Sequence, residues 1–289
     1  MGRPPAAAQL DPEGVAGTVC AVRVGYVQFA PQFGEVRRNL DRVADLVARD
    51  EADLWVLPEL FATGYHFVSA QEVAGLAEPV PEGRTTTALI ALARDRGCHI
   101  VGGLAEHAGG RVYNSAVLVG PSRLVARYRK VHLFYEEKNL FAPGDLPFPV
   151  ADIGLAKVGL LVCYDHLFPE AARSLALQGA ELIAHPANLV LPGLAQLTMR
   201  VRALENRVFI VTANRIGNEA RAGETLRFTG LSQIVAPSGD VLVQGPPDAE
   251  DVRVMEIDPA QARDKHLTAL NDVFADRRPE FYRRLVGLA

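Results

Sequence analysis

Three reactive side chains sit where apolar runs of the sequence give way to loops: Glu59 in LPELFATGY, Lys130 in RYRKVHLF and Cys163 in LLVCYDHLFPE. A strand end exposes such a group through its loop while the strand below holds it in place. A thiol, a carboxylate and an ammonium together make a kit for covalent hydrolysis. The thiolate is the attacking species, and a free thiol with a pKa near ~8.5 is mostly protonated at neutral pH. A base must therefore take its proton, which Glu59 could do. Attack on an amide carbon drives negative charge onto oxygen, where a fixed cation and backbone N–H groups stabilise it. Lys130 would be the cation. The N–H of Tyr164 would be one donor, provided the turn after Cys163 is sharp and opens a helix.

Taken singly, each residue also has a structural reading. Cysteine is among the most buried residue types, and Cys20 and Cys98, at strand starts among apolar or small neighbours, are read as core. Cys163 differs by facing the turn at the far end of its run. Glu59 could cap a strand end or pair with an arginine, and Lys130 could be a solvated charge after a strand. The histidines, among them His132, His166 and His185, show no metal-ligand spacing and are read as hydrogen-bonding residues. Neither a metal nor an organic cofactor is expected.

The elements that must position these groups follow one rhythm from Thr18 onward: apolar run, turn, amphipathic helix, apolar run. TVCAVRVGYVQFA reads as a strand, and Val36 to Asp50 as a helix with Leu40, Val43, Leu46 and Val47 on one face. DLWVLPEL is a short strand ended by Pro58. Thr85 to Arg96 is a helix capped by Gly97, and CHIVGGLAEH, RVYNSAVLVG and SRLVARYRK are successive strands. A loop with PGD at 143–145 precedes the strand that ends at Cys163, after which a helix runs from about Pro169 to Gln178. Further strands are expected in GAELIAHPAN, in RVFIVTAN and near 229–236, 240–244 and 252–257, with helices over Leu194 to Asn206 and from about Pro259. Mixed β-rich and βα segments point to a layered α/β sandwich. Residues 1–17 read as a disordered or loosely held leader before a single domain over 18–289, since no linker or composition break interrupts the rest.

Bulk properties narrow the function. The 289 residues are 49% hydrophobic and 22% charged, with a net charge of −4, an ordinary soluble composition without the basic face that a nucleic-acid partner would require. Three widely spaced cysteines form neither a disulfide framework nor a zinc pattern, and no apolar run is long enough for a membrane span. The expected address is the cytoplasm.

Read together, LPELFATGY, YRKVHLF and GLLVCYDHLFPE resemble the three signature segments of the nitrilase superfamily, the carbon–nitrogen hydrolases, and they occur in the family's order. EKNLFAPGD, ALQGAELIAHPAN and RALENRVFIVTAN add to the resemblance, which runs from about Thr18 to the last helix. It implies a four-layer αββα sandwich. It implies Glu59 as general base, Lys130 as stabiliser of the intermediate and Cys163 as nucleophile. A second glutamate belongs before the PGD-type turn: Glu137 falls there, with Glu136 beside it. The reaction implied is hydrolysis of a small amide or carbamoyl compound to an acid and ammonia through a thioester. Nitrilases proper usually have Trp-Glu after the cysteine, whereas this chain has Tyr164-Asp165. That departure favours an amide while leaving small aliphatic nitriles as the alternative. Tyr65, Phe134, Tyr164 and Asn188 are candidate pocket walls, and Arg173 is expected to pair with Asp165 or Glu170. A homodimer or higher homo-oligomer is implied. Two other readings fit less well: an isochorismatase-like hydrolase, whose acid normally lies near the start of the first strand, where this chain has none, and a non-catalytic scaffold, which loss of a triad residue would favour.

Overall fold

The computed structural model describes residues 21–287; the leader and Cys20 lie outside them. In chain order the strands are β1 (Val22–Gln28), β2 (Leu54–Val56), β3 (His99–Ala108), β4 (Arg111–Val119), β5 (Leu124–Arg129), β6 (Val150–Asp152), β7 (Lys157–Leu160), β8 (Leu182–Pro186) and β9 (Phe209–Ala213). A hairpin follows, β10 (Asn218–Arg221) with β11 (Glu224–Arg227), then β12 (Gln233–Val235), β13 (Val241–Gln244) and β14 (Asp251–Ile257), and last a short pair, β15 (His266–Thr268) with β16 (Asn271–Asp272). The α-helices are α1 (Val36–Val47), α2 (Ala70–Leu76), α3 (Arg84–Arg96), α4 (Glu137–Leu140), α5 (Pro169–Leu177) and α6 (Leu194–Asn206).

Two six-stranded sheets result, ordered β14-β1-β2-β3-β4-β5 and β13-β12-β9-β8-β7-β6. Each has a parallel centre, β1-β2-β3 in one and β7-β8-β9 in the other, with antiparallel strands outside it. The period of two along a strand sends alternate side chains to opposite faces, and this decides the layers. Leu54 and Val56 join Leu160, Leu182, Ala184 and Val211 in a core between the sheets, while Trp55 between them packs with Val43, Leu46 and Leu89 of α1 and α3. In the second sheet Ile183 and Ile210 face the opposite way, onto Leu175 of α5 and Met199 and Ala203 of α6. The order of layers is thus helix, sheet, sheet, helix, the αββα sandwich.

Local signals set the ends. Gly97 at φ 63° terminates α3 in the left-handed conformation that glycine adopts freely. Several expectations need correction. The helix from about Pro259 is a single 3₁₀ turn, Pro259–Ala262, held by the Asp258 side chain. Arg173 donates to the Glu205 carbonyl at 2.7 Å instead of pairing with Asp165 or Glu170. The strand near 229–236 shrinks to Gln233–Val235, because Gly230, at φ 57°, packs directly onto the Pro246–Pro247 backbone.

Candidate active site

Glu59 leaves the C-terminal end of β2, and its backbone lies flat on β3. A Cβ on Gly103 would stand 2.6 Å from the Glu59 Cα, so only glycine admits the segment. Lys130 follows β5. Its N–H donates to the Asn114 carbonyl at 2.8 Å, and its carbonyl accepts from Gly144 N at 2.9 Å. A methyl at Gly144 would overlap the Arg129 carbonyl, which explains the glycine of the PGD turn. Asp145 of the same turn pairs with Arg129 at 2.7 Å and accepts from the Tyr113 hydroxyl at 2.9 Å. Cys163 lies just past β7 at φ 45°, a conformation that a side chain with a Cβ rarely adopts. It opens a 3₁₀ turn, Cys163–Leu167, whose first N–H groups, Tyr164's included, have no acceptor within the turn.

These segments bring the charges together. Lys130 Nζ donates to Glu59 Oε1 and to Glu137 Oε1, each at 2.8 Å. Asn114 Nδ2 adds a second donor to Glu59 Oε1 at 2.7 Å, while Glu59 Oε2 is buried with no partner among the described residues. Glu137 accepts from the Tyr65 hydroxyl at 2.8 Å and from Phe134 N at 3.0 Å. Glu136, the neighbouring carboxylate, faces outward and bonds Asn139. The structure therefore gathers Glu137, and not Glu136, with Lys130 and Glu59.

Burial and neighbouring charges set the proton affinities. Burial raises the Glu59 carboxyl above its ordinary range, and the Lys130 charge only partly offsets this. Burial opposes the Lys130 charge, yet Glu137, Glu59 and Cys163 around it hold the ammonium well above its usual range. The Cys163 thiol is pushed well up by burial and by Glu59; Lys130 and the backbone N–H of Asn188 act against that rise. The same surroundings thus favour the uncharged thiol and raise the proton affinity of a Glu59 carboxyl that has one oxygen free. Burial lowers His166 to about 3 and His185 to about 4, so both are neutral near pH 7. Among the described residues, no cluster of His, Cys, Asp and Glu is arranged to hold a metal.

A cavity of about 30 Å³ opens at Cys163, walled by Tyr164, His166, Asn188, Val190 and Leu194. A second, of about 40 Å³, lies against Glu137 and is walled by Tyr65, Phe67, Leu140 and Leu226. Phe134 and Val190 border both. Tyr65, Phe134, Tyr164 and Asn188 all line one or the other, and Asn188 also donates to the Glu59 carbonyl at 2.9 Å. Sequence reasoning missed the support behind Tyr65. Glu219 accepts from Tyr65 N at 3.1 Å and from His66 N at 2.6 Å, and is itself held by the buried Arg215. Nothing local marks this pair, because its partners lie some 150 positions upstream.

An αββα sandwich that gathers a thiol, a glutamate and a lysine from beyond its strand ends with a second glutamate at the start of α4 defines a class, the cysteine-dependent hydrolases of non-peptide carbon–nitrogen bonds. Comparison with known proteins agrees. Residues 23–266 match the carbon-nitrogen hydrolase family, and the chain belongs to it. It is 50% identical to a nitrilase of Pyrococcus abyssi over 91% of this chain and 100% of that one. It is 37% identical to an (R)-stereoselective amidase of a Pseudomonas species, over 87% and 91% of the two chains. Among solved structures, a variant of the amidase from Nesterenkonia sp. AN1 superposes with a TM-score of 0.76 at 30% identity, covering 94% of this chain and 99% of that one. That structure shows covalent addition of the acetamide moiety of fluoroacetamide at its active-site cysteine.

Proposed function

We propose that the enzyme hydrolyses a small amide or carbamoyl compound, with Cys163 as nucleophile and Glu59 as general base. The observation that carries this reading is the division of labour within the Glu59 carboxylate. Oε1 is saturated by Lys130 and Asn114, while the buried Oε2 has no partner among the described residues. An unpartnered buried oxygen costs stability, and a use for it is to receive the thiol proton. Cys163 Sγ then bonds to the carbonyl carbon, and Lys130 Nζ with the Tyr164 N–H stabilises the developing oxyanion. Glu59 returns the proton to the nitrogen, the C–N bond breaks, and ammonia leaves a thioester. Water, deprotonated by Glu59, opens the thioester to the acid and frees the thiol. Glu137 keeps Lys130 charged and fixed throughout.

The narrowness of the cavity at Cys163 supports a small reacting end, and Tyr164, Leu189 and Leu194 present it an apolar wall. A second reading, a small aliphatic nitrile, is favoured by the nitrilase relative at 50% identity. The same proposal includes a cytoplasmic address, supported by Cys98 and Cys163 being free thiols, and assembly as a homodimer or larger homo-oligomer. Ammonia release from a panel of simple amides, carbamoyl compounds and nitriles, run beside Cys163→Ala, tests the reaction. Turnover of amides, lowered at least ~10³-fold in the alanine variant, is expected. Activity on nitriles alone would reverse the substrate order, and full activity of Cys163→Ala would overturn the mechanism.

A further inference from the structure

Asp165 lies two residues beyond the nucleophile, wholly buried, and lines neither cavity. A carboxylate out of water is costly unless its oxygens are hydrogen-bonded, and the positions of its donors show what this one does. Oδ2 accepts from the N–H of Val162, within its own turn, at 2.9 Å, and from the Tyr128 hydroxyl at 2.9 Å. Oδ1 meets His132 Nδ1 at 2.7 Å. Tyr128 and His132 stand two residues to either side of Lys130. The Tyr128 oxygen also accepts from Val131 N at 3.1 Å, so its single proton is committed to Asp165. The His132 ring is stacked on Phe168 with centroids 3.6 Å apart, which fixes the plane in which Nδ1 meets the carboxylate.

We propose that Asp165 is a positioning residue, a strut between the two sheets that sets Cys163 against Lys130. It ties the turn after β7 to the backbone on both sides of the lysine after β5, so the sulfur and the ammonium come from different sheets yet share one brace. The need for it follows from the φ of 45° at Cys163, since an uncommon backbone conformation persists only where its surroundings over-determine it. The inference rests on Cys163 and Lys130 acting as proposed above.

The test compares Asp165→Asn, Tyr128→Phe and their double variant with the parent enzyme, well below each variant's measured unfolding temperature. In Asp165→Asn an amide –NH2 replaces one of the two accepting oxygens and faces either the Val162 N–H and Tyr128 hydroxyl or the His132 backbone N–H. The expected result is a kcat lowered by ~10²-fold, the scale of a misplaced reacting group. KM should stay within about threefold, because the residue touches no cavity. Tyr128→Phe should lower kcat by about tenfold, and the double variant should be no worse than Asp165→Asn, as for two residues on one link. A folded Asp165→Asn with kcat within about threefold of the parent would overturn the proposal, as would losses that simply multiply in the double variant. Should Asp165→Asn fail to fold, an unchanged kcat in Tyr128→Phe would overturn it alone. Cys163→Ala run alongside separates the two readings. Turnover in that variant removes the nucleophile assignment itself, whereas a dead Cys163→Ala beside a fully active Asp165→Asn removes only the strut.

Discussion

Glu59 and Glu137 set two carboxyl groups on the one ammonium of Lys130, with all three side chains buried. Such an excess of acid over base is relieved by binding a proton, which is the physical basis of the proposed role of Glu59 as base for a thiol raised by the same surroundings. Glu137 adds to the upward shift of both groups. Replacing it by glutamine removes one charge and keeps the shape, so the acid limb of the pH profile of kcat/KM should move to lower pH. The sign follows from the direction of the Glu137 contribution: a repelling charge taken away lowers the proton affinity of Glu59. kcat should fall by about 10²-fold as Lys130 loses its anchor, on the scale of a lost electrostatic stabiliser. A limb that stays in place or moves upward would contradict this account. The adjacent pair Glu136–Glu137 shows where reading from sequence stopped. Neighbours on a helix point about 100° apart, and only the packing of Phe134 and Tyr65 around one of them tells which faces inward.

At the scale of elements, the PGD turn acts as a clamp on Lys130. Gly144 touches the Arg129–Lys130 backbone, and Asp145 grips the Arg129 side chain. Gly144→Ala should cost about 1–3 kcal/mol, the range for overfilling a packed site, and should lower kcat more than it raises KM. Urea unfolding and steady-state kinetics on one preparation check both, and a stable, fully active variant would remove the clamp. The long helices and parallel strands were readable because their periodicity is strong: Val43, Leu46 and Val47 bury one face of α1 with Leu40 half-buried beside them, and Leu89 and Ala93 bury one face of α3. The unread parts are short. β6 has three residues, and the β10–β11 hairpin owes its position to Arg221 reaching Glu72 and Phe33, neither of which lies near it in sequence. The three reactive side chains were visible as strand ends. The brace of Asp165 and the hold of Glu219 on Tyr65 were not, since a buried polar contact across long sequence separation leaves no local pattern.

At the scale of the whole molecule, α6 turns one face inward through Met199 and Ala203 and leaves Leu197, Val201 and Leu204 exposed at 60%, 41% and 45%. Their spacing places them on one side of the helix, and contiguous exposed apolar surface of this kind marks an interface. The proposed homodimer would cover it. Light scattering at micromolar concentration should return twice the 31.2 kDa chain mass, and Leu197→Lys with Leu204→Lys should drive it toward the single-chain value. A single-chain mass for the parent would reject the dimer. The reactive groups are divided between the sheets: Glu59 and Lys130 hang from one, Cys163 and Asn188 from the other. Turnover is therefore a gauge of how well the two halves are seated. Any heat, pressure or cosolvent that lets them slip should silence ammonia release while circular dichroism still reads intact helices and strands, and catalysis should be the first property lost and the last regained on refolding.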